Sequence, residues 1–228
     1  MTNNSLYKKI EGYQNISFDM FDTIIERKVM LPTDIFAMVG DSVLESGEEF
    51  RIKRIIAEQR ARQKNNNHEV TLDQIYAELR PIYQNSTELL KKTEVSLELD
   101  NCIPRKEIDE VYYRLLNNGN NIFIVTDMYL PRDIISKMLD KCCIKGYNDL
   151  LISNEEECGK SSGELFKIVL ERHKILPGEI IHVGDDWKAD YLGPRKVNIN
   201  SIIIPRKRRV RRRIKSEFVK LRLLGKDS

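Results

Sequence analysis

The sequence predicts an α/β fold: a mostly parallel sheet with helices on both faces, interrupted early by an inserted all-helical block. Three observations carry that prediction. Short apolar runs bounded by polar turns recur along the chain, which is how strands buried on both faces read. Helical patterns separate them, and alternating strands and helices build parallel sheets. Between residues 31 and 118 the strand pattern stops, and amphipathic helical stretches follow one another.

The first strand is expected at residues 15–20, where the apolar residues Ile16 and Phe18 run straight into Asp19 and Asp22, with Thr23 next. The block that follows holds "PTDIFAMVGDSVL", "EEFRIKRIIAEQRARQ", "TLDQIYAELRPIY", "STELLKKTEVSLELD" and "PRKEIDEVYYRLLNNG", read as helices with capping or breaking residues between them. Further strands are expected at 121–126, 150–153, 179–183 and 201–204, with helices at 132–139 and 163–173. The chain is thus divided into an α/β core at 1–30 and 119–205, a helical cap at 31–118 and a basic tail or linker at 206–228. An insertion directly after the first strand is expected to cover the carboxyl edge of the sheet, where open α/β sheets hold their ligands.

Composition narrows the class. With 228 residues, 41% hydrophobic and 32% charged, the chain suits one soluble globular domain or a core with an insertion. No apolar run of about 18 residues predicts a membrane span, and "MTNNSLYKKIEGY" lacks an apolar signal core, so a cytoplasmic location is expected. Cys102, Cys142, Cys143 and Cys158 show no Cys-x-x-Cys spacing and are read as buried or incidental thiols. His68, His173 and His182 are scattered and receive no chemistry.

The polar residues at strand ends do carry chemistry. Thr126 and Asp127 end one apolar run, Lys160 precedes a helix, and "GDDWKAD" ends another run at Gly184, Asp185 and Asp186, with Asp190 one helical turn beyond. Taken singly, Asp127, Asp186 and Asp190 read as turn or helix-capping residues, and Lys160 as a solvated lysine. Clustered carboxylates, however, repel one another unless a cation sits among them. Oxygen ligands near a phosphate favour Mg²⁺.

"DMFDT", Thr126, Lys160 and "GDDWKAD", in that order and on those elements, resemble the motif series of the haloacid dehalogenase-like (HAD) superfamily over residues 12–205. The resemblance implies a Rossmann-like core and a hydrolase, most often a phosphoric monoester hydrolase. It makes Asp19 the nucleophile of an aspartyl intermediate, Thr126 a donor to a phosphoryl oxygen, and Lys160 the charge-balancing cation. It also implies a Mg²⁺ ion on Asp19, the backbone carbonyl of Phe21 and Asp185. Asp186 would join directly or through water, and Asp190 would support the ligands from behind.

One position departs from that pattern. HAD phosphatases carry a second Asp two residues after the nucleophile, to protonate the leaving group, and here that residue is Phe21. An aromatic there resembles the 2-haloacid dehalogenases, whose halide needs no proton; they work without metal and lack the final acidic cluster that this chain keeps. A substrate with an easy leaving group also dispenses with an acid worth ~10²–10⁴-fold. Asp22, where the family usually has Gly, is the remaining candidate acid, although a positive-φ turn is expected there. The strings "SFDMFDTII" and "VTDMYLPRDII" further resemble HAD-like domains of bacterial surface-polysaccharide gene clusters, some fused to glycosyltransferases. That implies either a sugar-phosphate substrate or a domain that binds with little turnover.

The formal net charge of +3 hides an asymmetry. Residues 206–228 hold 11 Lys and Arg against Glu217 and Asp227, leaving 27 basic and 33 acidic residues in the rest. The acidic body argues against a nucleic-acid partner. The tail, with Ile214, Phe218, Leu221 and Leu224 at helical spacing, is expected to meet an anionic membrane surface or to link to a further domain.

Overall fold

Ile16 and Phe18 are fully buried, and Asn15 and Ser17 on the alternate face are buried too, so the strand β1 (Asn15–Phe18) has no face left for solvent. Its place at the centre of the sheet follows. The computed structural model of the protein describes residues 3–66, 68–206 and 209–224. In chain order, α1 (Asn3–Ile10) leads into β1, then β2 (Ile25–Arg27), α2 (Thr33–Leu44), α3 (Gly47–Lys64), α4 (Leu72–Tyr83), α5 (Thr87–Asn101) and β3 (Cys102–Pro104). There follow α6 (Lys106–Asn117), β4 (Asn121–Thr126), α7 (Arg132–Lys141), β5 (Asp149–Ile152), α8 (Glu164–His173) and β6 (Ile180–Gly184). A π-helical turn (Trp187–Leu192), the single turn α9 (Gly193–Arg195), β7 (Asn200–Ile203) and α10 (Arg209–Leu224) complete the order.

Five strands form one sheet in the order β5-β4-β1-β6-β7, every neighbouring pair parallel. Alternation along β4 sends Phe123 and Val125 to one face, where they join Leu165, Phe166 and Val169 of α8 with Leu151, Ile180 and Ile199. On the other face the Phe18 ring lies 6.0 Å from that of Tyr112 in α6. The sheet is therefore covered on both sides, as the sequence predicts.

Of the described residues, 3–26 and 103–206 form one compact unit, and 27–102 with 209–224 form another. These boundaries differ from the expected ones: α6 belongs to the unit of the sheet, and α10 belongs to the helical unit. Two short strands were also missed. β2 and β3 pair in a two-stranded sheet, and β3 falls inside the interval read as free of strands. Three residues are too few to display a period. α1 buries Leu6, Tyr7 and Ile10 and was likewise not predicted.

Within the helical unit, the helices are joined by more than an apolar stripe. Gly40 and Gly47 allow α2 and α3 to touch, since a Cβ on Gly40 would lie 2.6 Å from the Phe50 Cβ. Arg54 and Glu94, both fully buried, form a two-bonded pair at 2.8 Å and 2.8 Å, and the Tyr76 hydroxyl donates to Glu94 at 2.7 Å. A second such pair joins Arg27 to buried Glu98 at 2.7 Å and 3.1 Å. One turn apart on α5, the two glutamates form an acidic stripe turned inward.

In α10, Lys215 pairs with Asp34 at 2.8 Å and Arg222 with Glu48 at 2.9 Å, while Val219 is buried. Ile214 and Phe218 are exposed. Residues 207, 208 and 225–228 of the basic tail, and the side chains of Leu221 and Leu224, lie outside the described residues. No described helix is long and apolar enough to cross a membrane.

Removing Glu94 leaves the buried Arg54 charge with only its longer, 3.3 Å bond to the partly exposed Glu58. Glu94→Ala is expected to destabilise the protein by about 3–5 kcal/mol, read from urea denaturation. A loss below about 1 kcal/mol would show that Glu58, already 3.3 Å from Arg54, is a sufficient partner by itself.

Candidate active site

Asp19 is the first residue beyond β1, and its backbone N–H donates to the Val183 carbonyl of β6 at 2.9 Å. The neighbouring strand thus anchors the loop that carries it, at the carboxyl edge of the sheet. The Asp19 side chain is buried, and one oxygen accepts a 2.5 Å bond from the Lys160 ammonium. That same ammonium donates to Asp190 at 2.6 Å. The Lys160 backbone is itself placed, because its N–H donates to the Asp127 carboxylate at 2.9 Å. Thr126 ends β4 beside Asp127 and is buried; in register, Ile124 of the same strand pairs with Phe18.

Two glycines make this packing feasible. A Cβ on Gly193 would collide with the Lys160 carbonyl, and one on Gly184 would collide with the Asp190 carboxylate. The Gly of "GDD" therefore leaves room for Asp190 to fold back under the strand end.

Asp190 is fully buried and its acceptor positions are used. One oxygen takes the backbone N–H groups of Asp185 (3.0 Å) and Asp186 (2.9 Å); the other takes Lys160 and lies 3.2 Å from His182 Nε2. His182 Nδ1 lies 2.9 Å from the Ser17 hydroxyl. Burial holds the His182 imidazole below its ordinary pKa, although Asp190 opposes this, so the ring is neutral at pH 7. A carboxylate can only accept, so Nε2 carries the proton and Nδ1 accepts from Ser17. His182, to which sequence reasoning assigned no chemistry, orients Asp190 through this bond. Solvation of a capping Asp190 is ruled out by its burial.

Asp186 caps the π-helical turn, accepting from the N–H groups of Lys188 and Ala189, both at 2.9 Å. Its other oxygen meets Arg206 Nη2 at 3.2 Å, and Arg206 Nε donates to Asp185. Phe21 is half-buried, and its backbone bridges to Ile25. Asp22 takes the left-handed conformation (φ 60°) expected where the family pattern has Gly, and its carbonyl accepts from Arg105. Its carboxylate adds negative charge near Asp185 and Arg206.

Oxygens of Asp19, Asp185 and Asp190 lie within 4.8 Å of one another. Burial raises Asp19 well above the usual carboxylate range; Lys160 opposes the rise, and Asp190 and Asp185 add to it. Asp185 is pushed up to about 6, first by burial, against the pull of Arg206. Burial disfavours the Lys160 charge, yet Asp19 and Asp190 more than reverse this, so the ammonium stays protonated. For Asp190 burial is outweighed by Lys160 and His182, and its pKa falls well below the usual range. One ammonium thus serves two acids: Asp190, with four donors, keeps its charge, while Asp19 is left short of positive charge. An all-oxygen set of this kind suits a hard divalent cation. Asp19 and Asp185 have the capacity to hold it, Asp190 is spent on its own donors, and Asp186 is turned to the helix cap and Arg206.

Asp19, Lys160, Asp185 and Asp190 are brought together from stretches up to 171 residues apart in the numbering 19–190. Sequence reasoning missed Ser17, His182, Arg105 and Arg206. Ser17 and His182 pair across β1 and β6, which no single strand reveals. Arg206 was counted with the tail, and its proximity to the acidic run has no local signal.

A family model described as hydrolase, haloacid dehalogenase-like hydrolase, matches residues 13–198. Haloacid dehalogenase-like hydrolase domain-containing protein 3 of Xenopus laevis is 31% identical over 71 residues, a stretch covering 31% of this chain and 29% of that relative. L-2-haloacid dehalogenase from Xanthobacter autotrophicus superposes with a TM-score of 0.60 at 9% identity, covering 84% of this chain and 77% of that one. A predicted phosphoglycolate phosphatase from Haemophilus somnus 129pt gives 0.58 at 14% identity, covering 85% and 89%. These structural likenesses are of fold, and they extend to proteins named for two different reactions. The match of the family model to most of the chain decides the matter: this protein belongs to the haloacid dehalogenase-like hydrolase family.

Proposed function

We propose that this chain is a Mg²⁺-dependent phosphohydrolase acting on a small phosphorylated metabolite, with sugar phosphates as the leading candidates. The observation that carries this reading is the meeting of Asp19, Asp185 and Asp190 within 4.8 Å around a buried lysine. Bound by Asp19 and Asp185, Mg²⁺ would supply neutralisation of the nucleophile and of the phosphoryl oxygens.

The chain's own residues do the rest. An Asp19 oxygen forms a bond to phosphorus as the bond from phosphorus to the leaving oxygen breaks; water then hydrolyses the aspartyl phosphate and frees inorganic phosphate. Lys160, braced against Asp190, holds one Asp19 oxygen and balances the charge of the attack. Thr126 is the assigned donor to a phosphoryl oxygen. Phe21 can give no proton, and the Asp22 backbone, left-handed and held at its carbonyl by Arg105, does not occupy the family acid's position two residues after Asp19. That supports substrates whose leaving group departs without an acid, such as acyl or anomeric phosphates.

Phe21 and the direct Lys160–Asp19 bond also favour a second reading, metal-independent displacement of halide from a 2-haloacid. A phosphate-release screen with and without Mg²⁺, run beside a chloride assay, separates the two.

Asp19→Asn is expected to lose at least ~10³-fold of the phosphate release shown by the wild type, since the nucleophile is gone; equal release by both proteins would end the proposal. Phe21→Asp should raise hydrolysis of alkyl phosphates by up to ~10²-fold with little change on acyl phosphates. An unchanged alkyl-phosphate rate contradicts the account of the missing acid. The third expectation concerns pH. Burial pushes Asp185 up to about 6 in the folded chain, against the pull of Arg206, compared with about 3.9 when unfolded. The folded state holds that proton more tightly, so the group's stabilisation is complete below about pH 4 and is lost as pH rises through about 6. In metal-free buffer, Asp185→Asn should therefore gain stability relative to wild type between about pH 4 and about pH 7. Urea melts showing the opposite slope would refute the assignment.

A further inference from the structure

The chain returns to the acidic cluster by a fixed route. β7 pairs in parallel with β6, and the Ile204 N–H prolongs the pairing with a 2.8 Å bond to the Gly184 carbonyl. Pro205 follows, with its φ set by the ring, and its carbonyl accepts a 2.9 Å bond from Arg105 Nη2. The other Arg105 nitrogen, Nη1, holds the Asp22 carbonyl, so one buried guanidinium ties the turn after Asp19 to the residue before Arg206. Arg206 is thus delivered beside Asp185, where Nε bonds one carboxylate and Nη2 bonds Asp186 at 3.2 Å.

The pair is lopsided. The Asp185 side chain is 4% exposed and that of Arg206 is 41% exposed. The acid cannot turn to water, whereas the guanidinium can. A divalent ion taken up by Asp19 and Asp185 would draw on a carboxylate that Arg206 already occupies, and the two cations repel each other.

We propose that Arg206 is the resident counter-ion of Asp185, which an entering divalent cation displaces, so that Arg206 sets how tightly the site takes metal and excludes weakly charged ions. The proposal rests on the reading of Asp185 as a metal-holding residue. A small doubly charged ion gains more from Asp19 and Asp185 together than a guanidinium gains from Asp185 and Asp186, and a monovalent ion has no such advantage. Displacement need not carry Arg206 far, because Asp186 and the charge of Asp22 keep it near.

Calorimetric titration of the full chain with Mg²⁺ tests this, with fluorescence of Trp187, the single tryptophan, as a second readout. Trp187 is exposed and opens the turn that Asp186 caps. Arg206→Gln should bind Mg²⁺ about tenfold more tightly than wild type, and Arg206→Lys, which keeps the charge but loses the fork, should lie between. With 0.1 M KCl as competitor, on the order of ordinary ionic strength, the Arg206→Gln site alone should weaken measurably beyond screening of the wild type. Asp185→Asn is the control for the metal reading. Equal or weaker Mg²⁺ binding by Arg206→Gln, with Asp185→Asn impaired, overturns the counter-ion role and leaves the metal site standing. No binding by wild type or by either Arg206 variant overturns both.

Discussion

The buried ammonium of Lys160 is the contact on which the site depends. A lysine with 3% exposure must be fully paired, and it reaches Asp19 after β1 and Asp190 in the π-helical turn. Those two bonds draw three loops, from three different strand ends, to one point. The arrangement is one-sided: Asp190 has four donors while Asp19 has the Lys160 ammonium, which leaves Asp19 as the acid that still needs positive charge.

What surrounds the lysine serves to hold that imbalance. Ser17 and His182 form a buried relay that fixes one Asp190 oxygen, while the backbone of Asp185 and Asp186 fixes the other. Gly184 and Gly193 matter because a side chain at either would push into Asp190 or Lys160. Asp127 belongs to the same scaffold, since it positions the Lys160 backbone rather than merely closing a strand. The electrostatic cost of crowding acids is met locally, by Lys160 on one side and Arg206 on the other. The helical unit meets a comparable demand differently, by burying the Arg54–Glu94 and Arg27–Glu98 pairs with two bonds each. Such pairs add little over well-packed apolar residues, although removing one partner is costly.

Much of the fold and part of the site were legible in the amino-acid order. Apolar runs recur at β1, β4, β5, β6 and β7, and those at β1, β4 and β6 run into residues that have no reason to be in a sheet core; the order of these features, with Lys160 before the last of them, carried the α/β class and the family resemblance. Asp22 was legible too, as a residue able to stand in for Gly in a left-handed turn, and φ 60° is what it adopts. The strands β2 and β3 were not, because three residues carry no period, and α6 was assigned to the helical block because a helix does not announce which sheet it covers.

The sequence by itself determined which side chains with chemistry lie at strand ends, because burial periodicity and strand length are local properties. Only the tertiary structure decided how those side chains share charge. That Asp190 spends its oxygens on donors, that His182 is a neutral donor and that Arg206 comes back to Asp185 and Asp186 all follow from strand order and from which groups meet across it. Electrostatics acts over distances in space, and a chain that brings residue 206 beside residue 185 through a parallel strand leaves no trace of it in local spacing.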